Sequence, residues 1–236
     1  MKAVLFDLGG TLVEGTSPHL NVEKSYFEDQ IRAIHDSLRN DGIDVSWVHF
    51  REGYDRERTC QNALSERTLR EHDMYERTSN TLKALGFEVP SGSRILHRAL
   101  DAYVEEYIRT LRVHRAAHNV LTSLVLSHKI GLVSNFAYPP CAYRVLGMFN
   151  LRPFFRAIAV SGEVGWRKPS PVIFEYALTK LDVEAHDAVF VGDDYEADIL
   201  GATNVGMKTI MVSTEDDTHC IADAKIRSLE ARASGS

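Results

Sequence analysis

The chain has little of what marks secreted, membrane-spanning or nucleic-acid-binding proteins. Cysteine is scarce: Cys60, Cys141 and Cys220 are odd in number, far apart and without a CxxC pair, which excludes a disulfide framework and a structural zinc site. Long hydrophobic runs are missing as well. The N-terminal run from Ala3 to Phe6 is too short for the core of a signal peptide, and no later stretch reaches the roughly 18 apolar residues of a membrane helix. A reducing, cytoplasmic setting with no membrane partner is therefore expected. No run of Lys or Arg is long enough to track a phosphate backbone, and with a formal net charge of −6 a nucleic-acid partner is not expected either. Internal repeats and low-complexity tracts are absent. What remains, 44% hydrophobic and 25% charged over 236 residues, suits one well-buried globular core plus an inserted module, and nothing in it fixes an oligomeric state.

From Ala3 to Phe6 the apolar run ends in Asp7 and then Gly9-Gly10, the pattern of a buried strand opening into a sharp turn. Between about Val22 and Arg112 the pattern changes. Tyr26, Ile31, Ile34 and Leu38 recur at helical spacing, as do Trp47, Phe50 and Tyr54, and then Leu96, Leu100, Tyr103, Tyr107 and Leu111. A helical insert is expected there, broken at Asp41-Gly42 and at Pro90-Ser91-Gly92-Ser93. Beyond it, apolar runs at Ile130–Val133, Ala157–Val160, Ala188–Val191 and Thr209–Val212 alternate with helical stretches, which implies a parallel sheet. Residues 1–14 and 114–236 are assigned to an α/β core, residues 15–113 to a helical cap, and the end Ala233–Ser236 is expected to fray. In open parallel sheets ligands sit beyond the carboxyl ends of the strands, near the reversal of strand order. Asp7, Ser134-Asn135 and Gly192-Asp193 each fall at an expected strand end, so three distant segments converge on one crevice.

Four stretches carry a resemblance: Phe6-Asp7-Leu8-Gly9-Gly10-Thr11-Leu12, Val133-Ser134-Asn135, Lys168-Pro169-Ser170-Pro171-Val172-Ile173-Phe174, and Val191-Gly192-Asp193-Asp194-Tyr195-Glu196-Ala197-Asp198-Ile199. In this order they resemble the successive motifs of the haloacid dehalogenase-like superfamily. The resemblance implies a Rossmann-like parallel sheet with helices on both faces, an inserted α-helical cap, and hydrolysis of a small phosphorylated molecule through an aspartyl-phosphate. On it Asp7 is the nucleophile, and Mg²⁺ is held by Asp7, the Gly9 carbonyl and Asp193. Asp198 and Asp194 support the metal ligands from behind. Ser134 and Asn135 bind the substrate phosphate, and Lys168 neutralises developing charge and steadies Asp7. The chemical need is plain, since a carboxylate attacking a phosphate requires positive charge near the transferring oxygens. Taken singly, each of these residues is common in turns or at a helix start.

One position departs from the pattern. In the phosphatase branch the second residue after the nucleophile is usually Asp, acting as general acid and base, and here it is Gly9. Any residue offers a carbonyl, so the metal site is spared while proton transfer is lost, a step that typically contributes about 10²- to 10⁴-fold. Three readings follow. The first is a phosphatase of substrates whose leaving group needs little protonation, or one that borrows a donor such as Glu14, His19 or a cap residue. The second is a 2-haloacid dehalogenase, and the third a phosphonate hydrolase, which would need a cap lysine such as Lys24 or Lys83. From other classes, Asp7-Leu8-Gly9-Gly10-Thr11 also resembles a phosphate loop of sugar kinases with an actin-like fold, though no second glycine-rich segment follows, and a degenerate member would bind a phospho-ligand without turnover. His114 and His118, four apart, are a poor zinc signature, and Arg51, Arg56 and Arg58 beside Tyr54 read as the solvated face of a helix or as a substrate-anion cluster.

Overall fold

The computed structural model describes residues 1–16, 22–214 and 220–230, with only the backbone of residues 22–26. His19, the side chains of Lys24 and Tyr26, and the end Ala233–Ser236 lie outside that description. Two compact units are present: Met1–Glu14 with Arg112–Ser236, and Gly15–Leu111.

The first unit is built on strand β1 (Ala3–Phe6), whose four residues are all buried. A short strand β2 (Val13–Gly15) ends this first pass of the chain. The second unit is helical: α1 (Val22–Asn40), α2 (Trp47–Thr68), α3 (Met74–Ala84) and α4 (Arg94–Arg109). The chain returns through β3 (Leu111–Val113), which pairs with β2 in a two-stranded sheet. Then follow α5 (Ala117–Leu124), β4 (Lys129–Ser134), α6 (Pro139–Met148), β5 (Ala157–Val160), α7 (Ser161–Val164), α8 (Pro171–Leu181) and β6 (Ala188–Gly192). A π-helical turn over Tyr195–Leu200 runs into α9 (Gly201–Asn204), and β7 (Lys208–Val212) and β8 (Ala224–Ile226) complete the main sheet.

That sheet has six parallel strands in the order β5-β4-β1-β6-β7-β8. The chain fills one side of β1 and then crosses back to fill the other, so strand order reverses at β1 and opens a crevice at its carboxyl end. Central strands covered on both faces read as continuous apolar runs, which is why β1 and β6 were legible. Ala3, Leu5, Val133, Ala159, Ala188 and Phe190 pack on one face against Ile173, Phe174, Ala177 and Leu181 of α8. Phe174 meets Phe190 edge-on with ring centroids 5.3 Å apart. Strand β8 escaped the sequence reading because it is three residues long, lies at the edge and is mostly exposed. Such a strand carries no apolar pattern.

In the helical unit the expected breaks at Asp41-Gly42 and Pro90–Ser93 are turns. A further break between α2 and α3 was not expected. Leu69 there takes a left-handed conformation at φ 56°, and Asp73 caps α3 by accepting from the Tyr75 N–H at 2.6 Å. Ile31, Ile34 and Leu38 form the buried side of α1. On α4 the buried stripe is Leu96, Leu100, Val104 and Ile108, spaced by four residues; Tyr103 and Tyr107 stack on each other at its half-buried margin, and Leu111 belongs to β3.

Candidate active site

Asp7 follows β1 directly, and its N–H still pairs with the Val191 carbonyl of β6 at 2.9 Å, so its position is fixed by the sheet. Its side chain is buried, 8% exposed for the residue, and faces Lys168, which is 4% exposed. The Lys168 ammonium donates to Asp7 Oδ1 at 2.5 Å and to Asp198 Oδ1 at 2.6 Å. The other oxygen of Asp198 accepts from the backbone N–H groups of Asp193 and Asp194, both at 3.1 Å. Asp198 thereby ties the lysine to the loop after β6.

Lys168 is also held by its backbone. Asn135, just past β4, accepts from the Lys168 N–H at 2.8 Å with Oδ1 and donates to the Lys168 carbonyl at 3.2 Å with Nδ2. Ser134, the last residue of β4, is buried. Asp193 receives a hydrogen bond from the Thr11 hydroxyl at 3.1 Å. It packs so closely over Gly10 that a β-carbon there would collide with its carboxylate, and Gly10 has φ +73°. Gly192 is constrained in the same way, because a β-carbon would strike Asp198. These two glycines are demanded by the site itself.

Oxygens of Asp7, Asp193 and Asp198 lie within 4.8 Å of one another, with one ammonium among them. Such crowding leaves the cluster short of positive charge. Burial pushes the Asp7 carboxyl up to about 7 against the pull of Lys168, and burial together with repulsion from Asp198 pushes Asp193 up to about 6. Burial alone would lower the Lys168 ammonium, but Asp7 and Asp198 outweigh it and hold it above its ordinary value. A hard divalent cation suits this donor set, which is all oxygen and has unbalanced negative charge. Asp7, Asp193 and Asp198 are the described carboxylates that could hold one, and of these Asp198 has both oxygens already engaged.

Four motifs from distant parts of the chain thus meet at the strand-order reversal. Residues 1–206 match the haloacid dehalogenase-like hydrolase family. The chain belongs to that family. Among curated relatives, the ribulose-1,5-bisphosphate 5-phosphatase of Halopiger xanaduensis is 28% identical over 235 residues, covering 98% of this chain and 92% of that protein. Among solved structures, a HAD phosphatase from Thermococcus onnurineus has a TM-score of 0.65 at 25% identity, covering 97% of this chain and 94% of the other. A 2-haloacid dehalogenase from Pseudomonas syringae has the same TM-score at 23% identity, with coverages of 97% and 95%. Equal likeness to both means that the fold alone does not choose between their chemistries.

For a haloacid dehalogenase-like hydrolase, the informative differences lie in side chains. A β-carbon at Gly9 would meet nothing within 4 Å, so no packing requires glycine where the phosphatase branch usually has its acid. Glu14, offered as a substitute donor, is ion-paired with Arg112 at 3.0 Å. Lys83 is exposed in the last turn of α3. Asp194 is exposed, and its Oδ1 caps the turn after β6 by accepting from Ala197 N at 2.8 Å. The Asn135 amide holds the Lys168 backbone with Oδ1 and with one of the two N–H bonds of Nδ2. His114 precedes α5, and its Nδ1 accepts from Ala116 N at 3.2 Å; His118 Nε2 bonds the Phe149 carbonyl at 2.9 Å. The two histidines therefore do not share a helix face. Thr11 was missed as a site residue although it lies within the first motif, because a hydroxyl with a partner 182 positions away leaves no local signal.

Proposed function

We propose that this chain is a Mg²⁺-dependent phosphatase of small phosphorylated metabolites, with Asp7 as nucleophile and a preference for leaving groups that depart without a proton. The supporting observation is the placement of Asp7, Lys168, Asp193 and Asp198 around one small space at the end of β1. The phosphatase activity in the name of the Halopiger xanaduensis relative points the same way.

Asp7, Asp193 and the Gly9 carbonyl hold Mg²⁺, which when bound supplies charge to draw electrons from the phosphoryl oxygens. Lys168 fixes one oxygen of Asp7, and the carboxylate attacks phosphorus. The bond to the leaving oxygen breaks, and that oxygen keeps the electron pair. Lys168, the Ser134 hydroxyl and the Asn135 N–H neutralise charge on the transferring group. Asp198 keeps Lys168 in place, and Asp194 shapes the loop that presents Asp193. Water then attacks phosphorus of the aspartyl-phosphate, the bond from phosphorus to Asp7 breaks, and the proton that water gives up leaves with the released phosphate. Gly9 has no side chain to protonate the leaving oxygen, so acyl phosphates, anhydrides and aryl phosphates suit the site better than alkyl esters.

The test is turnover of p-nitrophenyl phosphate, an acyl phosphate, an alkyl phosphate and a 2-haloacid, each with and without Mg²⁺. Metal-dependent release of phosphate from the first two, lost in Asp7→Asn, is expected. Metal-independent halide release would replace this reading with a dehalogenase. The oriented Asp193 carboxylate, which a metal-free dehalogenase does not need, favours the phosphatase.

A further inference from the structure

The loop after β4 is held from a place that carries no reacting group. Phe136, which follows Asn135, has both main-chain polar groups tied to the start of α7: its N–H donates to the Ser161 hydroxyl at 2.8 Å, and its carbonyl accepts from the Gly162 N–H at 3.1 Å. The two backbones touch. A β-carbon on Gly162 would lie 2.8 Å from the Phe136 carbonyl oxygen and 2.9 Å from the Pro139 ring, so only glycine permits this approach. Ser161 is fully buried directly after β5. Glu163 accepts from the Tyr143 hydroxyl of α6 at 2.9 Å, which fastens α7 on its other side. Ser161, Gly162 and Glu163 all lie outside the four motifs.

A side-chain clamp is no firmer than the backbone that bears it. Asn135 sits between β4 on one side and the doubly tied Phe136 on the other, and its amide grips both the N–H and the carbonyl of Lys168. Two bonds to one residue fix a direction as well as a place. Lys168 must span two carboxylates, 161 and 30 positions away in the chain, with a long side chain rich in rotamers. Holding its main chain leaves less of that freedom to be lost when the ammonium settles between Asp7 and Asp198. A continuous line of contacts thus runs from Ser161 through Phe136 and Asn135 to the Lys168 ammonium. The second N–H bond of Asn135 Nδ2 offers the competing role, a direct bond to the phosphate.

We propose that the buried Ser161 and the Asn135 amide are positioning residues that act through Lys168: Ser161 fixes the loop, and Asn135 passes that order to the lysine that steadies Asp7. The kinetic arm of the test rests on the phosphatase reading, and a second arm does not. On p-nitrophenyl phosphate with Mg²⁺, Asn135→Ala is expected to lower kcat by about 10- to 100-fold and Ser161→Ala by about 3- to 10-fold, with KM changed by less than about 2-fold. In a Lys168→Ala background, removing the Asn135 side chain is expected to change kcat by less than about 2-fold. A loss that persists in that background, or a rise in KM beside it, assigns the amide to the phosphate itself and overturns the proposal. Amide hydrogen exchange read by NMR needs no turnover. The Lys168 N–H is expected to exchange about 10-fold faster in Asn135→Ala, and faster than in the wild type in Ser161→Ala as well. Faster exchange at Phe136 alone in Ser161→Ala confines that residue to its own loop and overturns the relay. Should the wild-type chain release no phosphate, the phosphatase reading falls while exchange at Lys168 still decides the relay, and the same measurement decides if Lys168→Ala does not fold.

Discussion

At the scale of single residues, two adjacent glycines have opposite meanings. Gly10 sits at positive φ under the Asp193 carboxylate, so Gly10→Ala forces both a strained backbone and a displaced acid. A loss of about 1–2 kcal/mol in denaturant-measured stability is expected from the backbone alone, with weaker Mg²⁺ binding alongside. Gly9 has open space beyond it. Gly9→Asp is therefore expected to fold normally and to speed hydrolysis of alkyl phosphates, on the order of 10²-fold or more, while changing aryl phosphate rates little. Flat alkyl rates in that variant would mean that proton transfer is not limiting or that another group already supplies it. Asp7, Asp193 and Lys168 were legible because the motifs name them. The lock by which Asn135 and Asp198 hold Lys168 was not, since it joins residues 30 or more positions apart.

Elements follow from periodicity until tertiary contacts intervene. The strands β1, β4, β5, β6 and β7 were visible as apolar runs because both faces of the sheet are covered around the centre. Within the sheet, Phe190 of β6 meets Phe174 of α8 with both rings fully buried, and Phe190→Ala is expected to cost about 3–5 kcal/mol. A shift of the urea midpoint with an unchanged slope would confirm a packing loss. In the helical unit Ser93 caps α4 by accepting from the Leu96 N–H at 3.3 Å, and Ser93→Ala is expected to cost on the order of 1 kcal/mol by the same measurement. The buried stripe of α2 looked like a plain apolar face flanked by solvated arginines. Only the packing against α3 reveals that its second half is polar and that Arg77 comes with it.

For the whole molecule, the crowded carboxylates couple stability to pH and to metal. Asp7 near 7 and Asp193 near 6 both lie above the ordinary carboxyl value of 3.8. The folded metal-free protein therefore holds protons that the unfolded chain releases. This stabilising contribution is complete below about pH 4 and is lost as pH rises through 6 to 7. A bound divalent cation competes with those protons. Mg²⁺ is expected to raise Tm more at pH 7.5 than at pH 5.5, and Asp193→Asn to flatten the difference, both read by calorimetry with EDTA as the metal-free control. Among the described residues no helix is long and apolar enough to cross a membrane, and all three cysteines are free, as their spacing implied.

By itself, the sequence determined the α/β class, the central strands and the order of the four motifs, because hydrophobic period and local motif are written in neighbouring positions. Tertiary structure alone decided how charge is balanced. It brought the carboxylates of Asp7, Asp193 and Asp198 together around one lysine in the first unit and paired the buried Arg77 with Gln61 in the second. Whether a charge is compensated depends on which distant side chains share its low-dielectric surroundings, and that is a property of the folded chain.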